Sequence, residues 1–315
     1  MDASLSDTSA SVFKTFPEFS KLRLEDREAY EAFSGNYPPI ADIQFYSLMT
    51  WWNQLDGPPI ATLNGNLVLS YWLPGDETHA GLSLVGTNKV DESICMIFDY
   101  LRERGEPVKL VNVPEFVISH IRFPELFSPE EDRRQYEYIL SVDKYYPLKN
   151  MVNHRRHRVE RQLARMGEEN MVVRSLDLRT AHNKKLLLDM AHKWWSRNIN
   201  NFGKVEREAM AESVQHADEL GIQNVCLFIK GELRGFCLYR RSQDKRYVII
   251  CHVKATHGAL LKYDLMIYLF AKWFAEQGAM YANLNSDEGL LALRMFMLTL
   301  GPTNFFRKYT IRPAS

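Results

Sequence analysis

The spacing of apolar and polar positions predicts one series of elements twice over. From Ala61 to Ser70 two apolar runs flank Asn64-Gly65, a two-residue hairpin signal. Gly81 to Gly86 reads as a third strand. Apolar positions at helical spacing mark a helix from Glu92 to Arg104. A strand from Val108 to Val113, a further helix and a strand from Tyr136 to Val142 follow. The order then recurs. Cys226 to Ile229, Lys230-Gly231 and Leu233 to Arg240 predict a second hairpin, and Tyr247 to Val253 its third strand. A very apolar helix from Leu265 to Glu276 comes next, expected to be buried on nearly all sides. A strand (Tyr281 to Asn285), a helix (Gly289 to Thr299) and a last strand (Phe305 to Ile311) complete the second series. A repeated mixed α/β unit predicts a duplicated domain, with a site in or between the copies.

The intervening pattern sets the boundaries. A short helix is expected from Leu24 to Phe33, and an aromatic-rich one from Asp42 to Leu55, read as core-facing. Pro124 to Asp132 reads as a surface loop. The pattern breaks at Pro147, within Lys144 to Lys149, which divides the chain into domains of residues 1–145 and 146–315. Two helices, Ala181 to Arg197 and Val205 to Leu220, are joined by a polar turn over Asn198 to Gly203.

Composition narrows the classes. The 315 residues are long for one core, in keeping with two domains. Lysine plus arginine equals aspartate plus glutamate at 39 each, so no global field draws in nucleic acid or acidic lipid. Any such binding must be local. Cys95, Cys226, Cys237 and Cys251 form no CxxC pair and read as reduced core residues, pointing to the cytoplasm. Met1 to Phe16 lacks the apolar stretch of a secretion signal. The run Leu265 to Ala271 is too short for a bilayer, which takes about 20 residues. No integral membrane segment is expected, and peripheral contact stays open.

Two constellations carry candidate chemistry. In Lys149 to Met166, Val152, Val159, Leu163 and Met166 fall on one face at about 100° per residue. His154, His157, Arg158, Arg161 and Arg165 fall almost opposite, and Arg155 and Arg156 extend the charge. Arginine forks suit phosphate, so the row is a candidate contact for RNA or another phosphate-rich ligand. A plain solvated basic face is the alternative, although only Glu160 interrupts the sign. The second constellation is Asn283, Asn285, Ser286 and Asp287, at the end of a strand and the start of a helix. Polar residues there reach ligand crevices in α/β sheets, but Ser286 or Asp287 would equally cap the helix. No Gly-rich dinucleotide or P-loop motif is present, and His154 with His157 has no third ligand nearby, so neither cofactor nor metal is expected.

Tyr138 to Asp143, Leu148-Lys149 and His154-Arg155-Arg156 resemble the central signature of a bacterial family. That family is related to the C-terminal catalytic domain of phosphatidylglycerol lysyltransferases. Asp287, Gly289, Leu293-Arg294 and Pro302 match its later signature in register. Leu284, Asn285 and Met297 stand where the family places Arg, Glu and Lys. The resemblance implies an α/β (α+β) fold of two tandem GCN5-related N-acetyltransferase-like domains. It implies acyl transfer, in relatives from aminoacyl-tRNA to an amine or hydroxyl of a lipid or peptide acceptor. On this reading Asp287 would hold a donor's α-ammonium or accept a proton, with Arg294 two helical turns along the same face. Asn283 and Asn285 would stand beside them, and Lys308 and Tyr309 would face the acceptor or a phosphate. An acyl-CoA donor would need the turn Ala255 to Lys262, where Lys262 is the candidate contact. That turn has one glycine where the pattern wants two. A non-catalytic relative that binds RNA or protein is the remaining alternative.

Overall fold

A computed structural model describes residues 12–52, 57–73, 76–167, 171–196, 204–256 and 263–314. The chain opens with β1 (Ser20–Lys21) and α1 (Arg27–Ser34). Where one aromatic-rich helix is expected, the described residues form a 3-10 turn, a single α-turn α2 (Phe45–Ser47) and a π-helical turn (Leu48–Trp52). Then follow β2 (Pro59–Leu63), β3 (Asn66–Leu73), β4 (Asp76–Val85), α3 (Val90–Glu103), β5 (Leu110–Pro114), α4 (Glu115–Ile118) and β6 (Phe127–Glu131). Next come β7 (Glu137–Ser141), α5 (Asn153–Met166), β8 (Met171–Arg174), α6 (Ala181–Trp195), α7 (Lys204–Gln215), β9 (Gln223–Ile229), β10 (Glu232–Arg241), β11 (Tyr247–Ala255), α8 (Tyr263–Glu276) and β12 (Tyr281–Asn283). The last elements are α9 (Leu291–Thr299), β13 (Asn304–Phe306) and β14 (Lys308–Pro313).

The predicted repeat is present. One sheet runs β1-β2-β3-β4-β5-β14-β6, and the other, read from its far edge, runs β8-β9-β10-β11-β12-β7-β13. The two orders correspond strand for strand. Each hairpin turns on two residues of positive φ: Asn64 and Gly65 at 52° and 77°, Lys230 and Gly231 at 51° and 76°. These values belong to the type I′ turn, whose twist matches that of the flanking strands. Each sheet contains a parallel pair, β4 with β5 and β11 with β12, bridged by a helix. In the first, α3 buries Val90, Ile94, Ile97, Phe98 and Leu101 at helical spacing against the sheet's core. Each such side chain contributes about 1.5–3 kcal/mol. In the second, α8 buries Leu265, Met266, Leu269, Phe270, Ala271 and Phe274, while Lys272 stays exposed.

Two expectations differ from the observed topology. The strand around Tyr136 to Val142 was expected to close the first copy, yet β7 lies beside β12 in the second sheet. The last strand was expected to close the second copy, yet β14 lies between β5 and β6. The copies exchange their penultimate strands. Alternation along a strand fixes which face is apolar and not which sheet receives it. The compact units are therefore discontinuous. One comprises Met1–Glu137, Ser286–Thr299 and Phe305–Ser315, the other Tyr138–Asn285 and Leu300–Asn304, rather than a single cut at 145/146. The stretch read as a surface loop contains β6, an edge strand held by β14.

Candidate functional site

In the second unit, Gly167 ends α5 with a φ of 65°, and Val159 anchors the helix with its side chain fully buried. Leu163 is half-buried, while Val152 precedes the helix and is 57% exposed, so the anchoring face is narrower than expected. The basic row divides. Arg155 and Arg158 turn onto Asp264, in the first turn of α8. Arg155 Nη1 donates to Oδ1 at 3.1 Å and Arg158 Nε to Oδ2 at 2.7 Å. Arg155, expected to be exposed, is thereby mostly buried, because Asp264 neutralises it from below. Lys149, His154, His157, Arg158, Arg161 and Arg165 remain exposed, and Arg156 leans on Glu160 at 3.7 Å.

Beyond Ile249 and Asn283, where the β11–β12 ladder ends, the strands part. Asn285, at a φ of 66°, donates its side-chain N–H to the Ile250 carbonyl at 2.6 Å. Its backbone N–H donates to Asn283 Oδ1 at 2.9 Å, and the Asn283 side chain is fully buried. These two asparagines shape the fork. On one face of β11 inside it stand His252 and Lys254, both buried against α7. His252 Nε2 lies 3.2 Å from Ser213 Oγ. Lys254 Nζ pairs with Glu206 Oε1, and Trp195 Nε1 donates to Glu206 Oε2 at 2.9 Å. The ammonium also sits 4.3 Å from the centre of the Trp194 ring. Burial lowers the Lys254 pKa from its ordinary value, against the opposing pull of Glu206. Burial, with Lys254 beside it, holds His252 down to about 3, so this imidazole is neutral near pH 7.

In the first unit Asp287 and Arg294 come together, though not as two turns of one helix: α9 starts at Leu291, and Asp287 lies in the loop before it. Asp287 is fully buried. Arg294 grips it with two N–H groups, each at 2.9 Å, Arg133 Nη1 donates to Oδ2 at 3.2 Å, and the Gly289 backbone N–H donates to Oδ1 at 2.9 Å. Gln135 Nε2 donates to Glu288 at 3.0 Å nearby. The carboxylate so fixed orients two guanidinium groups, Arg133 being 37% and Arg294 26% exposed. Lys308, expected to face an acceptor or a phosphate, is instead fully buried. Its ammonium meets Asp42 and, at 2.7 Å, Glu137. Burial alone would lower its pKa, but these two carboxylates hold it above the ordinary value. Tyr309 is half-buried, its hydroxyl 3.4 Å from Glu131. Lys262, with the rest of residues 257–262, lies outside the described residues. Asn283 and Asn285 belong to one compact unit, and Asp287, Arg294, Lys308 and Tyr309 to the other.

Sequence reasoning passed over Lys254, Glu206, Arg133 and Asp264. A lone lysine in the mostly apolar strand Tyr247 to Ala255, and the Trp194-Trp195 doublet, were the available signals.

A family model described as phosphatidylglycerol lysyltransferase, C-terminal, matches residues 47–287. The chain belongs to this family. A conserved protein of unknown function from Bacteroides thetaiotaomicron VPI-5482 superposes on this lysyltransferase-type domain with a TM-score of 0.77 at 19% identity, over 93% of this chain and 98% of that one. The L-PGS structure from Bacillus licheniformis gives 0.58 at 14%, over 92% of each chain. FemX gives 0.57 at 12%, over 92% of this chain and 96% of that one. At these identities the likeness concerns the fold, which is that of two acetyltransferase-like domains in tandem. No curated protein matches this family member. Among its described residues no helix is long and apolar enough to cross a membrane.

Proposed function

We propose that this family member is an aminoacyltransferase that moves an aminoacyl group from aminoacyl-tRNA to an amine or hydroxyl acceptor. The observation that carries the reading is α5: a helix pinned by Val159 and Asp264 that presents His154, His157, Arg158, Arg161 and Arg165 to solvent. Such a row can track a phosphate backbone over several nucleotides. The helix start that would cradle a CoA pyrophosphate carries the Asp264 carboxylate in its first turn, and like charge weakens that alternative. Arg133 and Arg294, held by Asp287, supply a second cationic pair for a carboxyl or phosphoryl group of substrate. The test is incubation with charged tRNAs and a cell extract, following labelled amino acid into product. Transfer of label supports the reading. Label that leaves acetyl-CoA and never aminoacyl-tRNA defeats it.

The sealing of Asp287 on all its oxygens favours one second reading, a non-catalytic RNA-binding relative. Asp287→Asn separates the two, since it keeps a side-chain acceptor for the Gly289 N–H and loses the charge. Unchanged RNA binding with no turnover in either protein supports the binder; turnover in the wild type alone supports the enzyme.

A further inference from the structure

The buried pair of Lys254 and Glu206 has no evident structural need. Both side chains are 6% exposed. Removing two charges from water costs several kcal/mol per ion, and well-packed apolar residues often serve stability as well or better. Yet the pair is built with care. Trp195 aims its indole N–H at the free oxygen of Glu206, and the Trp194 face covers the ammonium. The pair also stands at a particular place. Lys254 lies four residues past Ile250, in the stretch of β11 that has left β12, and Val253 beside it is 42% exposed. Val253 points to the opposite face of the strand, so what places the ammonium at the opening is the position of Lys254 in the stretch of β11 beyond its ladder with β12.

We propose that Lys254 is the group that takes the acceptor's proton during transfer, with Glu206 as the residue that positions and recharges it. The proposal rests on the aminoacyltransferase reading. Nζ becomes a neutral amine by passing a proton to Glu206 Oε1, a shift within an existing hydrogen bond. The acceptor's nitrogen or oxygen then attacks the ester carbonyl carbon and releases its proton to Nζ. As the new bond to that carbon forms, the bond from the carbon to the ribose oxygen of the tRNA breaks. The departing oxygen takes the proton from Nζ, Glu206 returns its own, and the enzyme ends as it began. Burial favours the neutral amine that this needs. His252, two residues back on the same face, stays uncharged and adds no competing acid. Trp194, Glu206 and Ser213 face Lys254 and His252 from α6 and α7.

The experiment measures single-turnover transfer from aminoacyl-tRNA across pH, with tRNA affinity and thermal unfolding measured alongside. Lys254→Arg keeps the charge and the partner but cannot release its proton at these pH values. It should fold and bind tRNA as the wild type does and lose about a hundredfold or more in transfer rate. Glu206→Gln removes the group that holds the lysine's pKa up, so the rising limb of the profile should move to lower pH. Transfer within threefold of wild type in Lys254→Arg, or a limb unmoved in Glu206→Gln, overturns the proposal. If the wild type transfers nothing from any charged tRNA, the transferase reading fails first. Lys254 is then read directly by NMR of 13C-labelled lysine. Titration clearly below the ordinary value near 10.4 supports the depressed amine, and titration at or above it refutes it.

Discussion

The two halves each place a carboxylate in the first turn of the helix that bridges the parallel strands, and use it differently. In the first, Asp91 of α3 is 5% exposed and binds the backbone N–H groups of Arg122, at 3.1 Å, and Phe123, at 2.9 Å. The turn before that helix is closed as well. Asn66 donates to the Asn88 carbonyl and accepts from the Asn88 backbone N–H at 3.0 Å, and Asn88 donates to the Asn64 carbonyl at 2.7 Å. In the second, Asp264 of α8 binds two arginines of α5. One carboxylate ties down a loop; the other seats a basic helix. A duplicated fold has kept the same anchor and changed what is anchored, leaving one half self-satisfied and the other charged on its surface.

The comparison can be broken most forcefully at Lys308. Replacing it with Met strands Asp42 and Glu137 in the first half, and the protein should lose about 3–5 kcal/mol in denaturant unfolding. A loss under 1 kcal/mol would mean that this half is not held by its buried charges. In the second half, reversing Arg158 and Arg161 to Glu should cost about a hundredfold in tRNA affinity at physiological salt, with the fold kept and the melting temperature lowered by the like charge that Arg158→Glu sets against Asp264. Wild-type affinity should itself drop steeply as salt rises. Binding indifferent to both treatments would remove the basic row from the account.

His252 provides a pH test. Its folded pKa, about 3, lies below the unfolded value of 6.5. Between those values the unfolded chain binds a proton that the folded one does not, so acid favours unfolding. Its contribution is complete above about pH 6.5, and about 1.5 kcal/mol of it should disappear by about pH 5. His252→Gln should flatten that part of the stability curve. The smallest expected effect on binding sharpens the comparison directly. Asp91→Ala should cost about 1–3 kcal/mol in stability and leave RNA affinity alone. Asp264→Ala removes a negative charge beneath the basic row, so it should tighten RNA binding a few-fold, at a stability cost of about 1–3 kcal/mol because the mostly buried Arg155 loses this carboxylate.

Local pattern carried the repeat, both hairpin turns and the bridging helices into view, because the periods of 2 and 3.6 and the Asn64-Gly65 signal are written in neighbouring residues. The partnership of Asp287 with Arg294 was legible from their closeness in sequence, but not its geometry: α9 begins only at Leu291, so Arg294 reaches back to a carboxylate in the loop before the helix rather than along one helical face. The exchange of β7 and β14 was not legible. A strand such as Tyr138 to Ser141, buried along most of its length, pairs equally well in either sheet. Nor was the burial of Lys308, whose partners lie 266 residues away at Asp42 and at Glu137. Glu206 and Lys254 are 48 residues apart, and although a lysine in a mostly apolar strand stands out, nothing near it in sequence names its partner.

The position of β14 between β5 and β6 also sets an order of events in synthesis. Chains are made from the N-terminus, and domains commonly begin to fold as they leave the ribosome. Here the first sheet stays one strand short, with two unpaired edges facing a gap, until nearly the whole sequence has emerged. The second sheet has its exchanged strand, β7, in hand before any of its own have been made. The half written first is the half finished last, and through that interval its open edges are sites where a chaperone can hold the nascent chain or a neighbouring chain can pair with it.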